Sequence, residues 1–220
     1  MSKTSILDKY QIRLLDAVAQ NKFLGENFYL TGGTALAEFY LHHRYSEDLD
    51  FFSEIEIDTL NLDIALKKIK DNVGAAKMDF QQSFNRNLIF FHISNKIIKT
   101  EFTYFPFPRI EKGVLARRIS VDSLIDIAVN KLFTIYQRTN ARDYIDLFCI
   151  CAKNRFKIQD LIKKAKAKFD WNIDPLQLGM RFMKAKKAKD YPRMIQKIAP
   201  AKWQKFFVHE ARKLKKDIIE

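Results

Sequence analysis

The sequence predicts an α+β fold, in which a region of mixed strands and helices is followed by a region of helices alone. Short apolar segments with strand-like spacing are confined to the part of the chain before about residue 118. After residue 120 the apolar spacing is helical, and no Gly/Ser-rich linker interrupts the chain. We therefore predict an α/β core over residues 1–118 and a basic, α-helical region over residues 119–220.

The elements of the core follow from apolar spacing and turn composition. Helices are predicted over residues 5–19, 34–41 and 60–73. Strands are predicted over residues 27–30, 49–52, 78–84, 88–93 and 97–105. The last three strands are separated by Asn85-Arg86-Asn87 and Ser94-Asn95, whose composition favours hairpin turns.

Composition excludes several classes of protein. The 220 residues are 47% hydrophobic and include 19 Phe, which is enough for a packed core and argues against disorder. No run of 18 apolar residues is present, so no transmembrane helix and no membrane partner are expected. The polar N-terminus does not resemble a signal peptide. Cys149 and Cys151 are one residue apart, which predicts reduced thiols in or near a core helix and suits a cytoplasmic location.

The charge of the chain is strongly positive and unevenly distributed. Lys and Arg number 39 against 26 Asp and Glu, for a formal net charge of +13. Residues 163–216 contain KKAKAK, KAKKAK and KLKK with few acids between them. Such runs are found on solvated helix faces, and they are also found on surfaces that bind RNA or DNA. The sequence is compatible with both interpretations.

Three acidic residues in the core are candidates for metal chemistry. In a strand, residues i and i+2 share a face, so Asp48 and Asp50 should project together. Paired carboxylates suit Mg²⁺, which takes one or two of them together with substrate phosphates. Glu101 lies in a later strand that could run beside the first, with Lys99 on the same face. Glu101 could accept a proton from an attacking hydroxyl or complete a metal site, and simple exposure of these acids is the alternative.

A glycine pair stands just before these acids. Gly32-Gly33 follows a predicted strand and precedes a predicted helix, an arrangement that lets a backbone approach a ligand closely. The first N–H groups of that helix would face an anion such as a phosphate. Thr34 would act there as a phosphate donor or as an ordinary N-cap. A plain strand-to-helix turn is the alternative for the glycines.

A second polar group occurs in the helical region. Lys131 could meet phosphates as a point charge, with Asp146 orienting it or touching a nucleotide. Arg142 and Asp146 are four residues apart, so an ordinary ion pair on one helix face is the alternative. His42 and His43 have no neighbouring ligand cluster and are expected to be ordinary surface or loop histidines.

At these positions the chain resembles a known family, the AbiEii-type nucleotidyltransferases. These are the toxins of bacterial two-gene abortive-infection systems and belong to the DNA polymerase β-like superfamily. The matching segments are GGTAL (32–36), HRYSEDLDFF (43–52), IKTEF (98–102), NKL (130–132) and RDYIDL (142–147). Their order and spacing agree over residues 28–148, and the C-terminal helices agree only in general character.

The resemblance implies a polymerase-β-like core and a metal-dependent transfer of a nucleoside monophosphate from an NTP. Mg²⁺ or Mn²⁺ is the implied cofactor, RNA such as tRNA the implied acceptor, and a cognate antitoxin the implied protein partner. The implied metal ligands are Asp48, Asp50 and Glu101, which with Lys131 and Asp146 form the implied catalytic set. The implied nucleotide-binding residues are Gly32, Gly33, Thr34, Arg44, Ser46 and Arg142.

Two departures from the superfamily pattern bear on these roles. Gly32-Gly33 replaces the usual Gly-Ser, so Thr34 would substitute for the serine. Glu101 stands where Asp is common, and its longer side chain shifts the carboxylate outward.

Two other functions are compatible with the sequence. An enzyme of the same fold could act on a small molecule or on a protein hydroxyl. A non-catalytic nucleic-acid-binding module is the other alternative, and the presence of Asp48, Asp50 and Lys131 argues against it.

Overall fold

The computed structural model describes residues 5–214, which divide into two compact units. The first unit comprises residues 5–40, Tyr45–Pro108 and Lys112–Ser123. The second comprises Leu41–Arg44, Arg109–Glu111 and residues 124–214. The α+β architecture predicted from the sequence is confirmed, because one unit is built on a sheet and the other is helical.

Within the described residues, the first unit contains one mixed sheet of seven strands. The strands are β1 (Tyr29–Thr31), β2 (Leu49–Ser53), β3 (Lys77–Ser83), β4 (Arg86–Ile93), β5 (Lys96–Tyr104), β6 (Val114–Ala116) and β7 (Ile119–Val121). Their order across the sheet is β3-β4-β5-β2-β1-β7-β6. The pairs β2–β5 and β1–β7 are parallel, and the others are antiparallel.

The helices of this unit lie before and between the strands. They are α1 (Lys9–Gln20), α2 (Lys22–Asn27), α3 (Gly32–Ala35), which continues as a π-helix (Leu36–Leu41), and α4 (Thr59–Asn72). The first helix begins four residues later than predicted because Asp8 caps it, accepting hydrogen bonds from the backbone N–H groups of Tyr10 and Gln11.

The core of the first unit is aromatic and determines which way β2 faces. Phe51 stacks on Phe102 of β5 at a centroid distance of 4.9 Å, and Phe28 packs edge-on against the same ring. Leu49 and Phe51 are fully buried, whereas Asp50 between them is partly exposed. The alternation of a strand therefore directs Asp50 away from the apolar core.

Five predicted strands correspond to β1–β5, each within two residues at either end. The prediction that residues from 120 onward are helical is wrong at its start, because β6 and β7 form a hairpin. The turn of this hairpin consists of Arg117 and Arg118, both with positive φ (49° and 63°). Such turns normally carry Gly, Asn or Asp, so two arginines provide no local signal for this one.

The second unit is built from helices α5 (Leu124–Gln137), α6 (Ala141–Asn154), α7 (Ile158–Phe169), α8 (Pro175–Met183) and α9 (Pro200–Leu214). Tyr144, Phe182, Trp203 and Phe207 pack together in its core. Among the residues that the structure describes, no helix has the length and apolar character needed to cross a membrane.

The cysteines of α6 are free thiols, as predicted. Burial raises the pKa of Cys149 and of Cys151 to about 12, so both are protonated and unreactive near neutral pH.

The basic runs are not uniformly solvated. Lys168, the last residue of KKAKAK, is buried and its ammonium group lies 2.6 Å from the carboxylate of Asp126. By contrast, Lys163, Lys166, Lys184, Lys186 and Lys187 are exposed. The last two lysines of KLKK lie outside the described residues.

Candidate active site

Two acidic side chains lie next to each other on neighbouring strands of the first unit. In the parallel pair β2–β5, Asp50 is opposite Glu101. Paired residues of adjacent strands project to the same face of a sheet, so the two carboxylates share a face. The prediction that the strand of Glu101 runs beside that of Asp50 is confirmed.

The third acid, Asp48, precedes β2 and is held by a lysine of β5. The Lys99 Nζ atom lies 2.8 Å from Asp48 Oδ2. Both side chains remain about one-third exposed, at 34% for Lys99 and 33% for Asp48. Solvent and ligands therefore have access to this carboxylate.

Glu101 is in a different environment, because an arginine binds both of its oxygens. Arg86 Nε donates to Oε1 at 2.8 Å and Arg86 Nη2 donates to Oε2 at 2.6 Å. The Thr103 hydroxyl donates to Oε1 at 2.7 Å. Glu101 itself is buried, so this bidentate pair is shielded from water on the carboxylate side.

These contacts determine the acidity of Glu101. Burial on its own would raise the pKa of Glu101, but hydrogen bonds from Arg86 and Thr103 and the charges of Arg86 and Lys99 lower it below the ordinary value. A carboxylate with a lowered pKa is a weak proton acceptor. A role for Glu101 as base or metal ligand stays a prediction, and it would require release from Arg86.

The glycine turn is shaped by the neighbouring carboxylate. Gly32 has φ of +72°, a conformation that side chains disfavour. A Cβ atom at this position would lie 2.5 Å from Asp50 Oδ2. Because Gly32 has no side chain, the backbone can turn from β1 into α3 directly beside Asp50. Gly33 is the next residue of α3.

Thr34 connects this turn to the start of β2. Its hydroxyl is fully buried and donates a hydrogen bond to the backbone carbonyl of Asp48. The N-cap of α3 is Thr31, so the interpretation of Thr34 as an N-cap is wrong. The interpretation of Thr34 as a phosphate donor stays a prediction. In this structure the Thr34 hydroxyl donates its proton to the backbone carbonyl of Asp48.

In the second unit, a buried carboxylate organises the other predicted residues. Asp146 is fully buried and accepts hydrogen bonds from Arg44 Nε at 2.7 Å and Arg44 Nη2 at 2.8 Å. His43 Nε2 lies 2.8 Å from the same carboxylate. The Lys131 ammonium group lies 2.7 Å from both Asp146 and Asp143.

The pKa values of this cluster reflect mutual neutralisation. Burial would raise the pKa of Asp146, but Lys131, Arg44 and the hydrogen bond from His43 hold it well below the ordinary value. Burial would lower the pKa of Lys131, but Asp146 and Asp143 raise it instead. Lys131 and Asp146 therefore remain charged in a site from which water is largely excluded.

Two expectations for this region are wrong. Arg142 is exposed on the surface, and the partner of Asp146 is Arg44 rather than Arg142, so the predicted i,i+4 ion pair does not form. His43 lies in a loop, but it is fully buried rather than on the surface. Both errors have one cause, since a contact between Arg44 and Asp146, 102 residues apart, has no local signal.

The remaining predicted residue, Ser46, is partly buried and its backbone carbonyl accepts a hydrogen bond from the Gln11 side chain. Within residues 5–214, no group of three or more His, Cys, Asp or Glu side chains is placed to hold a metal ion. Arg86 and Asp143 were not predicted as site residues. Arg86 falls within the segment predicted as a hairpin turn, whereas in the structure it is the first residue of β4.

Two solved structures share the fold of this chain, and one curated relative is similar to it in sequence. JHP933 from Helicobacter pylori has a similar fold, with a TM-score of 0.60 and 20% identity, covering 95% of this chain and 90% of that one. The nucleotidyltransferase toxin MenT4 from Mycobacterium tuberculosis gives a TM-score of 0.55 and 14% identity, covering 94% and 84% of the two chains. An Aquifex aeolicus protein is 32% identical over 154 residues, 67% of this chain and 68% of that protein.

The model of one family matches nearly the whole chain. Residues 13–211 match the AbiEii nucleotidyl transferase toxins of type IV toxin–antitoxin systems, and the chain belongs to this family. The resemblance seen in the sequence is thereby confirmed, as is nucleotidyltransferase activity as the enzymatic class.

The Gly32→Ala variant should lose both stability and activity. A side chain at positive φ costs about 1–2 kcal/mol, and the new methyl group would also push the Asp50 carboxylate aside. Urea unfolding and a nucleotidyl-transfer assay would measure the two effects. The matched control is Gly179→Ala in α8, where the nearest atom is 3.9 Å away. It should gain about 0.5–1 kcal/mol. Wild-type stability in Gly32→Ala would contradict the proposed constraint.

The Asp146→Asn variant should be strongly destabilised, because the buried cations Arg44 and Lys131 would lose the negative charge of Asp146. Loss of one partner of a buried pair costs about 3–5 kcal/mol. The pKa of Asp146 is lowered on folding, so its contribution is present above the ordinary pKa of 3.8 and is lost as pH falls below it. Urea unfolding at several pH values should therefore show the deficit of the variant shrinking below pH 3.8. A deficit independent of pH would contradict this explanation.

Proposed function

We propose that this protein transfers a nucleoside monophosphate from an NTP to a hydroxyl group of RNA, with a divalent cation bound by Asp48 and Asp50. The observation that supports this most strongly is the placement of accessible carboxylates beside the glycine turn that follows β1. Carboxylate oxygens are hard ligands, and Mg²⁺ commonly uses only one or two of them together with phosphate oxygens. The donor set therefore fits Mg²⁺ or Mn²⁺.

In the proposed mechanism, the chain mainly positions the reactants. The turn at Gly32 and Gly33 allows the triphosphate to approach the backbone at the start of α3. Asp48 and Asp50 fix the position of the cation, which when bound supplies charge neutralisation for the attacking and leaving oxygens. The oxygen of an acceptor hydroxyl would then bond to the α-phosphorus in line and lose its proton to solvent, while the bond from the α-phosphorus to pyrophosphate breaks. Positioning and charge carry most of such a reaction.

The buried cluster of the second unit has a proposed supporting role. Lys131 remains a proposed catalytic residue on the basis of the family, and within this unit Asp146 and Asp143 orient its ammonium group. Arg44 is 4% exposed and bound through two nitrogens, so we propose that it positions Asp146. Ser46 and Arg142 remain proposed nucleotide-binding residues on the basis of the family alone.

The proposed acceptor is RNA, with tRNA as one candidate. The exposed lysines after α8 support this, because Lys184, Lys186 and Lys187 present positive charge within four residues. The family adds a cognate antitoxin and a role in defence against phage as further proposals. A small molecule or a protein hydroxyl is the alternative acceptor.

A transfer assay tests the reaction and its acceptor. The protein would be incubated with Mg²⁺, total cellular RNA and each α-labelled NTP in turn, alongside the Asp48→Asn variant. We expect label in RNA from wild type and a loss of about 10³-fold in the variant, because several kcal/mol of charge stabilisation would be removed.

The control for that assay is Asp63→Asn, which removes an equal charge from the surface of α4. It should leave transfer unchanged. Wild-type transfer by a folded Asp48→Asn protein would refute the metal site. Label in a small molecule or in protein, with none in RNA, would establish the alternative acceptor.

RNA binding should depend strongly on salt. Removing one lysine–phosphate contact should reduce the slope of log K against log[salt] by about 0.7–0.9. Replacing Lys184, Lys186 and Lys187 with Gln should therefore reduce this slope by about 2–3. The charge-matched control replaces Lys22, Lys67 and Lys68, all exposed on helices of the first unit. RNA binding would be measured by fluorescence anisotropy. If the two triple variants changed the salt slope equally, Lys184, Lys186 and Lys187 would not be the RNA contacts.

A further inference from the structure

We propose that Lys99 is the resident counter-ion of the candidate metal site. Its ammonium group holds the Asp48 carboxylate until a cation that arrives with a nucleotide takes its place. The ammonium group then moves to a phosphate of that nucleotide. This inference rests on the proposed function, because it concerns the same carboxylates. It assigns a positioning role to Lys99, to which the family resemblance gives no role.

The contact between Lys99 and Asp48 is suited to exchange. The ammonium group lies 2.8 Å from Asp48 Oδ2, one of the oxygens that a cation at this site would use. Both side chains are about one-third exposed, and such ion pairs are held weakly because water competes for both charges. A lysine is a compact charge on a flexible stem, so its ammonium group can move several ångströms without a change in the backbone.

Arg86, a second cation on this face, is held much more firmly. Arg86 binds Glu101 through two nitrogens, and Glu101 is buried and also bound by Thr103. Release of Arg86 would leave a buried carboxylate without its charge partner, which is strongly unfavourable. Lys99 is therefore exchanged more easily than Arg86.

The charge balance explains what the exchange would achieve. Asp48, Asp50 and Glu101 carry three negative charges, against two positive charges on Lys99 and Arg86. A free cation must compete with Lys99 for Asp48, whereas a cation that arrives with a triphosphate supplies an anion to which the displaced ammonium group can bind. Metal and nucleotide should therefore bind with positive coupling.

The test is the Lys99→Met variant, which removes the charge and retains an unbranched side chain. Mn²⁺ binding without nucleotide, measured by calorimetry or paramagnetic resonance, should become about tenfold tighter. The KM for NTP at saturating metal should rise by about tenfold, because the displaced charge no longer meets a phosphate. If Lys99 had only a structural role, the Lys99→Met variant would instead bind both Mn²⁺ and NTP more weakly, and its melting temperature would fall.

Two further variants complete the design. Lys99→Arg retains the charge and should keep Mn²⁺ affinity near that of wild type. Lys77→Met removes a lysine from another strand of the same sheet, where it pairs with Asp79 at 2.6 Å, and should change neither quantity. Unchanged or weaker Mn²⁺ binding in a folded Lys99→Met protein would overturn the inference.

The outcome can be separated from failure of the proposed function. Absence of transfer by wild type to any acceptor, together with tighter Mn²⁺ binding in Lys99→Met, would reject the proposed reaction and support the counter-ion role. Loss of Mn²⁺ binding in Asp48→Asn is the required positive control. Equal Mn²⁺ binding by wild type and Asp48→Asn would reject both the site and the inference.

Discussion

The parallel pairing of β2 with β5 brings the Asp50 carboxylate next to that of Glu101, and the first unit is arranged around the negative charge that results. Like charges on one sheet face repel unless cations or solvent compensate them. Arg86 neutralises the buried member, Glu101, through a bidentate contact. Gly32 has no side chain where one would collide with Asp50. The contact of Arg86 compensates the charge that the β2–β5 pairing creates, whereas Gly32 is brought to Asp50 by the pairing of β1 with β2, in which Thr31 is opposite Asp50.

The second unit solves a similar problem by burying its charges completely. Asp146 is shielded from water and held by Arg44, His43 and Lys131. Arg44 belongs to the HRYSEDLDFF segment and Asp146 to RDYIDL, two of the segments that carry the family resemblance. Part of the family pattern is therefore a requirement of folding, because a buried carboxylate without these cations would be unstable. Identity with a family motif does not by itself show that a residue contacts substrate.

The same distinction applies to the positive charge of the chain. The net charge of +13 suggests a polyanionic partner, but several cations are already engaged inside the protein. Lys168 is buried against Asp126, and Lys131 against Asp143 and Asp146. The charge available to a partner is the exposed part of the basic runs. A count of lysines therefore describes the potential for binding RNA less well than their positions do.

The sequence by itself determined the α+β class, the first five strands, the carboxylate pair and the family. These are local properties, since strand alternation, helical spacing and short motifs are written in neighbouring residues. Tertiary structure alone decided the partners of the charged groups. Arg44 reaches Asp146 and Lys99 reaches Asp48 across 102 and 51 residues, and no local pattern encodes such contacts. Ion pairs form wherever folding brings opposite charges together, and that placement is decided by the strand order and helix packing of each unit.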